Sequence, residues 1–341
     1  MKKPIIRSFD FIRAVSTFGM VLFHFSFYQP EGSFRPLYMH ANSYWGSALV
    51  TVFFMLSGAS LYYHYDSPMD AKALRAYCYK RWKSIFPMYY LAYILVEIQK
   101  MIASGSAFFR GNPLQYVFTL IGMDGYLAQT FPTAYNLGEW FIGAIVLLYI
   151  LYPLVMYIFN RNAPISFAAI LLLYLLTRNI AIINPEPFRT IPSCLASFAC
   201  GMFLIKYRDL LKDVRLAIVS ALGLLVLCFV RLPIPENLCD HLAGVFLFVV
   251  LDFIGERLTR LPGPAALFSF LSSISYAVFL VHHVTLSSVL DIWHPTDGIS
   301  LAFLLALLFF LIIAFAVLLA WAAKKLTRFI DSVLLRKSTQ R

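Results

Sequence analysis

The stretch Ser8-Phe-Asp10-Phe-Ile-Arg13-Ala-Val-Ser-Thr-Phe-Gly-Met-Val-Leu-Phe-His24-Phe-Ser-Phe-Tyr28 decides how the chain is read. An α-helix rises about 1.5 Å per residue, so about 20 mainly apolar residues cross a hydrocarbon core of about 30 Å. This stretch is long enough and apolar enough to cross. It also carries Asp10 and Arg13, and no small-residue cleavage site follows it, so it reads as a retained span and not as a cleavable signal peptide.

Outward from it, nine further stretches have the same character: Tyr44 to His64, Ser84 to Ala103, Gly138 to Phe159, Pro164 to Ile182, Thr190 to Ile205, Arg215 to Leu232, Leu238 to Gly255, Ala265 to Leu290 and Ser300 to Ala323. Thr190 to Ile205 is short for a span, and Asn112 to Gly122 is shorter still and reads as an interfacial or re-entrant piece. Composition agrees. Apolar residues make up 60% of the 341 positions and charged residues only 13%, with a mean hydropathy of +0.75. A soluble domain carries about a quarter charged residues, so most of this surface faces lipid. Lipid demands that every backbone polar group be satisfied within the segment. The expected fold is therefore all-α: a polytopic transmembrane helical bundle of about ten spans, one integral-membrane domain over residues 1–330, and a short basic tail over 331–341.

Charge gives the orientation. With the N-terminus inside, the inner segments hold Lys2, Lys3 and Arg7, then Lys72, Arg75, Lys80, Arg81 and Lys83 in the loop from Tyr65 to Lys83. Arg161, four cations from Lys206 to Arg215, Arg257 and Arg260, and six from Lys324 onward complete the set. Most of the 28 Lys and Arg residues thus lie inside, which places both termini in the cytoplasm. This asymmetry accounts for the net charge of +11 without nucleic acid, since no basic stripe lies on a soluble face. The five cysteines have no metal-ligand spacing and sit mostly in apolar stretches, so they read as small buried hydrophobes, with no disulfide framework and no zinc site.

Ionisable groups inside spans are costly, which makes them the first place to look for function. Arg13 and His24 are about three full turns apart, on one helix face and about 16 Å apart along the axis. Asp10, one turn before Arg13, is placed to partner its charge. At a similar outer depth stand Glu139 and Trp140 at the start of the fourth span, Arg178 near the end of the fifth, and His282 with His283 in the ninth. Each has a plainer reading. Arg13 and Arg178 snorkel to an interface; Trp140 anchors in the aromatic belt; Glu139 and the histidines join helices by hydrogen bonds.

Taken together, these motifs resemble the bacterial membrane-bound acyltransferase-3 family, which includes O-acetyltransferases of surface polysaccharides. The family's mark is an Arg, ten residues, then a His in the first span, as in Arg13 to His24, with an Asp three positions before the Arg, as in Asp10. Phe53-Phe54-Met55-Leu56-Ser57-Gly58 matches its Phe-Phe-x-Leu-Ser-Gly, and Lys80-Arg81-Trp82-Lys83-Ser84-Ile85-Phe86-Pro87 its basic loop ending in Pro. Trp140-Phe141 and the run from Ser275-Tyr276 to His282 match as well. The resemblance covers nearly the whole chain in order. One departure is Ser84, where many members have a second Arg; Lys83 beside it offers a point charge without the planar fork.

The resemblance implies an acyl transfer, with acetyl-CoA or another cytoplasmic acyl-CoA as donor substrate, no permanently bound cofactor, and a carbohydrate hydroxyl as acceptor in the bacterial cytoplasmic membrane. His24 is then general base or acyl carrier, Glu139 orients its ring, and Arg13, Arg81 and Lys83 meet the donor. His282, His283, Trp140 and Arg178 are expected along the substrate or acyl path. The outer loops Gln29 to Ser43 and Ser104 to Leu137 hold Phe34, Tyr38, Phe108, Phe109, Tyr126 and Tyr135, which suit either sugar stacking or belt anchoring. Acceptor recognition falls to these loops or to a separate partner protein, and homo-oligomerisation is open. The rival reading is a secondary transporter or exporter of a lipid-linked sugar; the absence of a repeat between the halves weighs against it. Reporter fusions after Leu326 should read cytoplasmic, and fusions near Phe109 external. An external C-terminus would mean that the span count is off by an odd number.

Overall fold

Each of the ten apolar stretches becomes a helix in the computed structural model of the chain, which describes residues 3–106, 112–135, 137, 140–180, 184, 186–295 and 297–339, with side chains as far as 333. The helices are α1 (Arg7–Tyr28), α2 (Trp45–His64), α3 (Ala71–Ser104), α4 (Tyr116–Leu120), α5 (Asp124–Leu127), α6 (Trp140–Arg161), α7 (Ala163–Thr177), α8 (Ile191–Lys206), α9 (Val214–Phe229), α10 (Glu236–Leu258), α11 (Pro262–Leu290) and α12 (Gly298–Thr339). The strands β1 (Met39–His40) and β2 (Ser43–Tyr44) form an antiparallel pair, the one sheet among the described residues. Among the described residues, seven helices are long and apolar enough to cross a membrane. The expected spans at α7, α8 and α9 are apolar helices of 15, 16 and 16 residues. The protein is an all-α helical membrane bundle.

Two expectations change. The stretch from Tyr65 to Lys83 is not a loop: α3 starts at Ala71, where the Asp70 carboxylate accepts from the backbone N–H of Ala73 at 2.7 Å. Such a cap satisfies a donor that the first turn leaves orphaned. The five cations therefore ride on the opening turns of a helix that continues into the span. At the other end, α12 runs on through the segment expected as a tail, to Thr339. The short piece at Asn112 to Gly122 is, as expected, too brief to span: a 3₁₀ turn (Pro113–Gln115) and α4, stopped at Gly122 with φ +71°.

The chain divides into two compact units, Met1–Pro68 with Ala144–Ser273, and Met69–Gly143 with Ile274–Arg341. In the first, helices approach closely because glycine lets them. A Cβ added to Gly58 would overlap the backbone carbonyl of Phe198, and one added to Gly201 that of Met55, so α2 and α8 are in backbone contact at both points. Small residues at helix crossings are how lipid-embedded helices gain packing without a hydrophobic drive. Gly244 does the same for α10 against Thr51 and Ala48 of α2. The Phe-Phe-x-Leu-Ser-Gly motif thus ends on a packing residue. The β1–β2 turn finishes α9: Asn42 Nδ2 donates to the carbonyls of Leu227 and Val230, each at 2.7 Å, while its Oδ1 accepts from Leu232 N–H at 2.7 Å. These carbonyls are among those a helix C-terminus leaves unsatisfied.

In the second unit, Lys83 Nζ stands 3.2 Å from Asp331 Oδ2 and Tyr79 donates to Asp331 Oδ1 at 2.6 Å, joining α3 to α12. The connection after α3 is organised on a carboxylate: Asp124, 5% exposed, accepts from Tyr89 at 2.8 Å and Thr119 at 3.3 Å. Burial pushes the Asp124 carboxyl above the usual carboxylate range. Gly201→Ala should lower the thermal midpoint of the purified protein, since overpacking costs about 1–3 kcal/mol. Gly263→Ala, whose Cβ would meet nothing within 4 Å, should not move it. Equal midpoints for both variants would contradict the α2–α8 contact.

Candidate active site

The first-span pair sits on one unbroken helix. α1 runs from Arg7 to Tyr28 without interruption, so the three-turn spacing from Arg13 to His24 holds and both side chains lie on one face, half-buried. Arg13 is not left alone. Its Nη1 lies 3.6 Å from Asp10 Oδ1, and Ser272 of α11 bridges them, accepting from Arg13 Nη1 at 2.8 Å and donating to Asp10 Oδ1 at 2.6 Å. An arginine at the centre of a span costs on the order of 2.5–3.5 kcal/mol on insertion scales. The counter-charge and hydroxyl offset that cost and hold the guanidinium in one orientation, with the Arg13 side chain still 35% exposed. Asp10 was legible in the sequence as a partner; Ser272 was not, because a serine in a serine-rich run has no signal of its own.

Toward the other end of α1 the surroundings become aromatic. The Phe23 ring makes an edge contact with His24 at 5.1 Å between centroids and stacks near-parallel on Tyr38 at 6.0 Å. Arg35 lies over Tyr38 at 4.2 Å and donates from Nε to the Ser26 carbonyl at 3.0 Å. The loop after α1 is thus fastened beside His24, and Tyr38 is its half-buried aromatic. Phe34 is exposed, whereas Tyr126 is buried at 2% and serves as core rather than as a surface for a sugar. Phe108 and Phe109 lie outside the described residues.

In the second unit the other histidines stand on α11. His282 is 1% exposed, and its Nδ1 lies 2.7 Å from the Phe279 carbonyl oxygen and 3.2 Å from that of Val278. A carbonyl oxygen only accepts, so Nδ1 carries the hydrogen and the neutral ring keeps its lone pair on Nε2. His283 is half-buried, its ring 4.4 Å from that of His282. Phe279, next to His282 at 5.8 Å, also meets Phe141 edge-on at 5.6 Å. The Trp140-Phe141 motif therefore opens α6 beside the histidine pair, with Trp140 half-buried. Glu139 lies outside the described residues. Tyr276 donates to the Ile85 carbonyl at 3.2 Å and so ties α11 to α3 just after the basic run.

The remaining cations separate. Arg81 is half-buried on α3, and Ser84, where the resemblance led one to expect a second Arg, spends its hydroxyl on the Arg81 carbonyl at 2.8 Å. Lys83 is committed to Asp331. Arg178 caps the end of α7, on a different helix from the other candidates, four residues after Tyr174. A second polar group that sequence reading passed over lies at the start of α1, where Ser8 donates to Asp252 at 2.6 Å and to Glu256 at 3.2 Å, both on α10.

The described residues thus hold an arginine paired with Asp10 and Ser272 on α1, and histidines on both α1 and α11. The comparison with known families makes the class definite. The model of an acyltransferase domain matches residues 6–324, from the start of α1 into α12, so the chain belongs to the acyltransferase-3 family and is a membrane acyltransferase. No curated protein and no solved structure matches it.

Ser272→Ala removes two hydrogen bonds to charged groups, each worth about 1.5–3 kcal/mol. Acyl transfer should fall about tenfold or more at matched protein levels, with Ser272→Thr retaining most of it. Full activity in Ser272→Ala would show that Asp10 alone positions Arg13.

Proposed function

We propose that the protein transfers an acyl group, acetyl in the first instance, from cytoplasmic acyl-CoA to a hydroxyl of a cell-surface or lipid-linked glycan in a bacterial cytoplasmic membrane. The observation that carries this reading is the α1 face: a guanidinium oriented by Asp10 and Ser272 in the half of the span nearer the N-terminus, and an imidazole three turns on.

The reaction breaks the thioester C–S bond and forms an ester C–O bond. The acceptor hydroxyl gives its proton to His24, imidazole being the side chain that most often moves protons near neutral pH, and the coenzyme leaves as its thiolate, which takes that proton from His24. Arg13 acts on the donor side, where a fixed fork of N–H donors suits an anionic or carbonyl oxygen. Arg81, on the cytoplasmic turns of α3, contributes charge for the donor's phosphates; Lys83 has Asp331 as its partner and is left to the α3–α12 joint. His282, with its tautomer set by the Phe279 carbonyl, keeps the acyl-path role that the family resemblance gives it. Glu139 keeps the ring-orienting role that the family resemblance gives it.

A group that moves a proton in the transition state contributes about 100- to 10,000-fold. His24→Ala should therefore abolish detectable glycan acylation in a deletion strain while leaving membrane insertion near normal. Arg13→Ala should also be inactive, through the donor. Full rescue by His24→Ala would remove the catalytic role. A chain whose wild type yields no acylated product, with flux indifferent to acyl-CoA, would instead be a transporter.

A further inference from the structure

Among the described residues, α12 is the least buried of the seven span-length helices. Residues three, four and seven apart on a helix share a face. By that spacing Phe310, Val317 and Trp321 line up, and all three are exposed. From Phe310 to Trp321 the helix rises about 16 Å, close to the depth of one leaflet in a hydrocarbon core of about 30 Å. The same face then changes character within two turns. Lys324, Lys325 and Arg328 stand three, four and seven residues after Trp321, and all are exposed.

Two contacts decide what this end of the helix can meet. Lys325 Nζ lies over the Trp321 ring, 3.8 Å from its centroid. Tryptophan rings settle at headgroup level, so the ammonium is held at that boundary. Asp331 is the one carboxylate in the α12 sequence, and it is engaged by α3, accepting from Tyr79 at 2.6 Å and pairing with Lys83 at 3.2 Å. Lys83 directly precedes the apolar stretch of α3, whereas the apolar stretch of α12 comes before Asp331. Measured from this joint, Arg328 and Lys324 therefore lie about 4–10 Å toward the membrane. Exposed cations at that depth, between exposed Trp321 and Phe329, meet the phosphate layer and not bulk water.

We propose that this end of α12 binds an acidic phospholipid, with Lys324, Lys325 and Arg328 on its phosphate and an acyl chain along Trp321, Val317 and Phe310. Positive charge alone would decide only the side of the membrane on which the helix ends. What selects a lipid is a single exposed face with one leaflet's length of apolar surface followed by three cations. The site is independent of the acyl-transfer reading.

The test is native mass spectrometry of the purified full-length protein in detergent, titrated with phosphatidylglycerol and with phosphatidylcholine of identical chains. Phosphatidylglycerol should bind about tenfold tighter or more. The triple variant Lys324→Gln/Lys325→Gln/Arg328→Gln should lose that preference. The double variant Lys72→Gln/Arg75→Gln, which removes two exposed cations from the opening turns of α3, should keep it. Should the triple variant fail to insert, Arg328→Gln alone should weaken phosphatidylglycerol binding several-fold, with Arg328→Lys retaining most of it. Glycerol 3-phosphate in large excess, which has the headgroup charge without the chains, should leave the lipid bound. Equal affinity for the two lipids would overturn the site, as would a preference that the triple variant or Arg328→Gln retains in full. Loss of the preference in the α3 double variant would reduce it to net charge and overturn the site as well. Displacement by glycerol 3-phosphate would make this a seat for soluble phosphates and overturn its lipid occupant.

Discussion

The Arg13 guanidinium inside the first span is the constraint on which the rest of the site depends. An unpaired charge there would be expelled toward an interface, taking the register of α1 with it. Asp10 supplies the opposite charge from the preceding turn, and Ser272 on α11 supplies one acceptor and one donor between them. The clamp therefore does two things at once. It makes the charge tolerable at that depth, and it fixes α1 against α11 so that the face leading to His24 has a set direction. Side chains at both ends of this face are only half-buried.

Around this clamp the first unit is held by backbone proximity rather than by side-chain bulk. Gly58 and Gly201 bring α2 and α8 into contact, and Gly244 brings α10 onto α2. Helices so closely packed need no long apolar run of their own, which fits α8 being 16 residues long yet among the more buried helices. The second unit relies instead on polar joints, with Asp331 receiving Lys83 and Tyr79, and Asp124 receiving Tyr89 and Thr119.

Much of this was legible in the sequence because lipid imposes a crude rule that composition obeys. Apolar runs near span length located ten helices, and Arg13, His24 and His282 lie within helices as their positions in those runs implied. The Asp10–Arg13 pairing was legible because both partners share one helix. What escaped was long-range and uncharged. Ser272 stands 262 positions from Asp10 and looks like any other serine until α11 places it. The start of α3 was missed because basic residues lower hydropathy without disfavouring helix, so the span looked shorter than the helix that carries it. Lys83 resembled a ligand-binding charge until Asp331, far along the chain, appeared as its partner.

In the proposed reaction an acyl group travels from the Arg13 end of α1 to His24 at the other end. Sealed vesicles with the protein in known orientation test it directly. Radiolabelled acetyl-CoA is supplied on the face of Arg7, and the glycan acceptor on the opposite face. Label should appear on the acceptor across the bilayer, dependent on His24 and Arg13. Label appearing only when donor and acceptor share one face would contradict it.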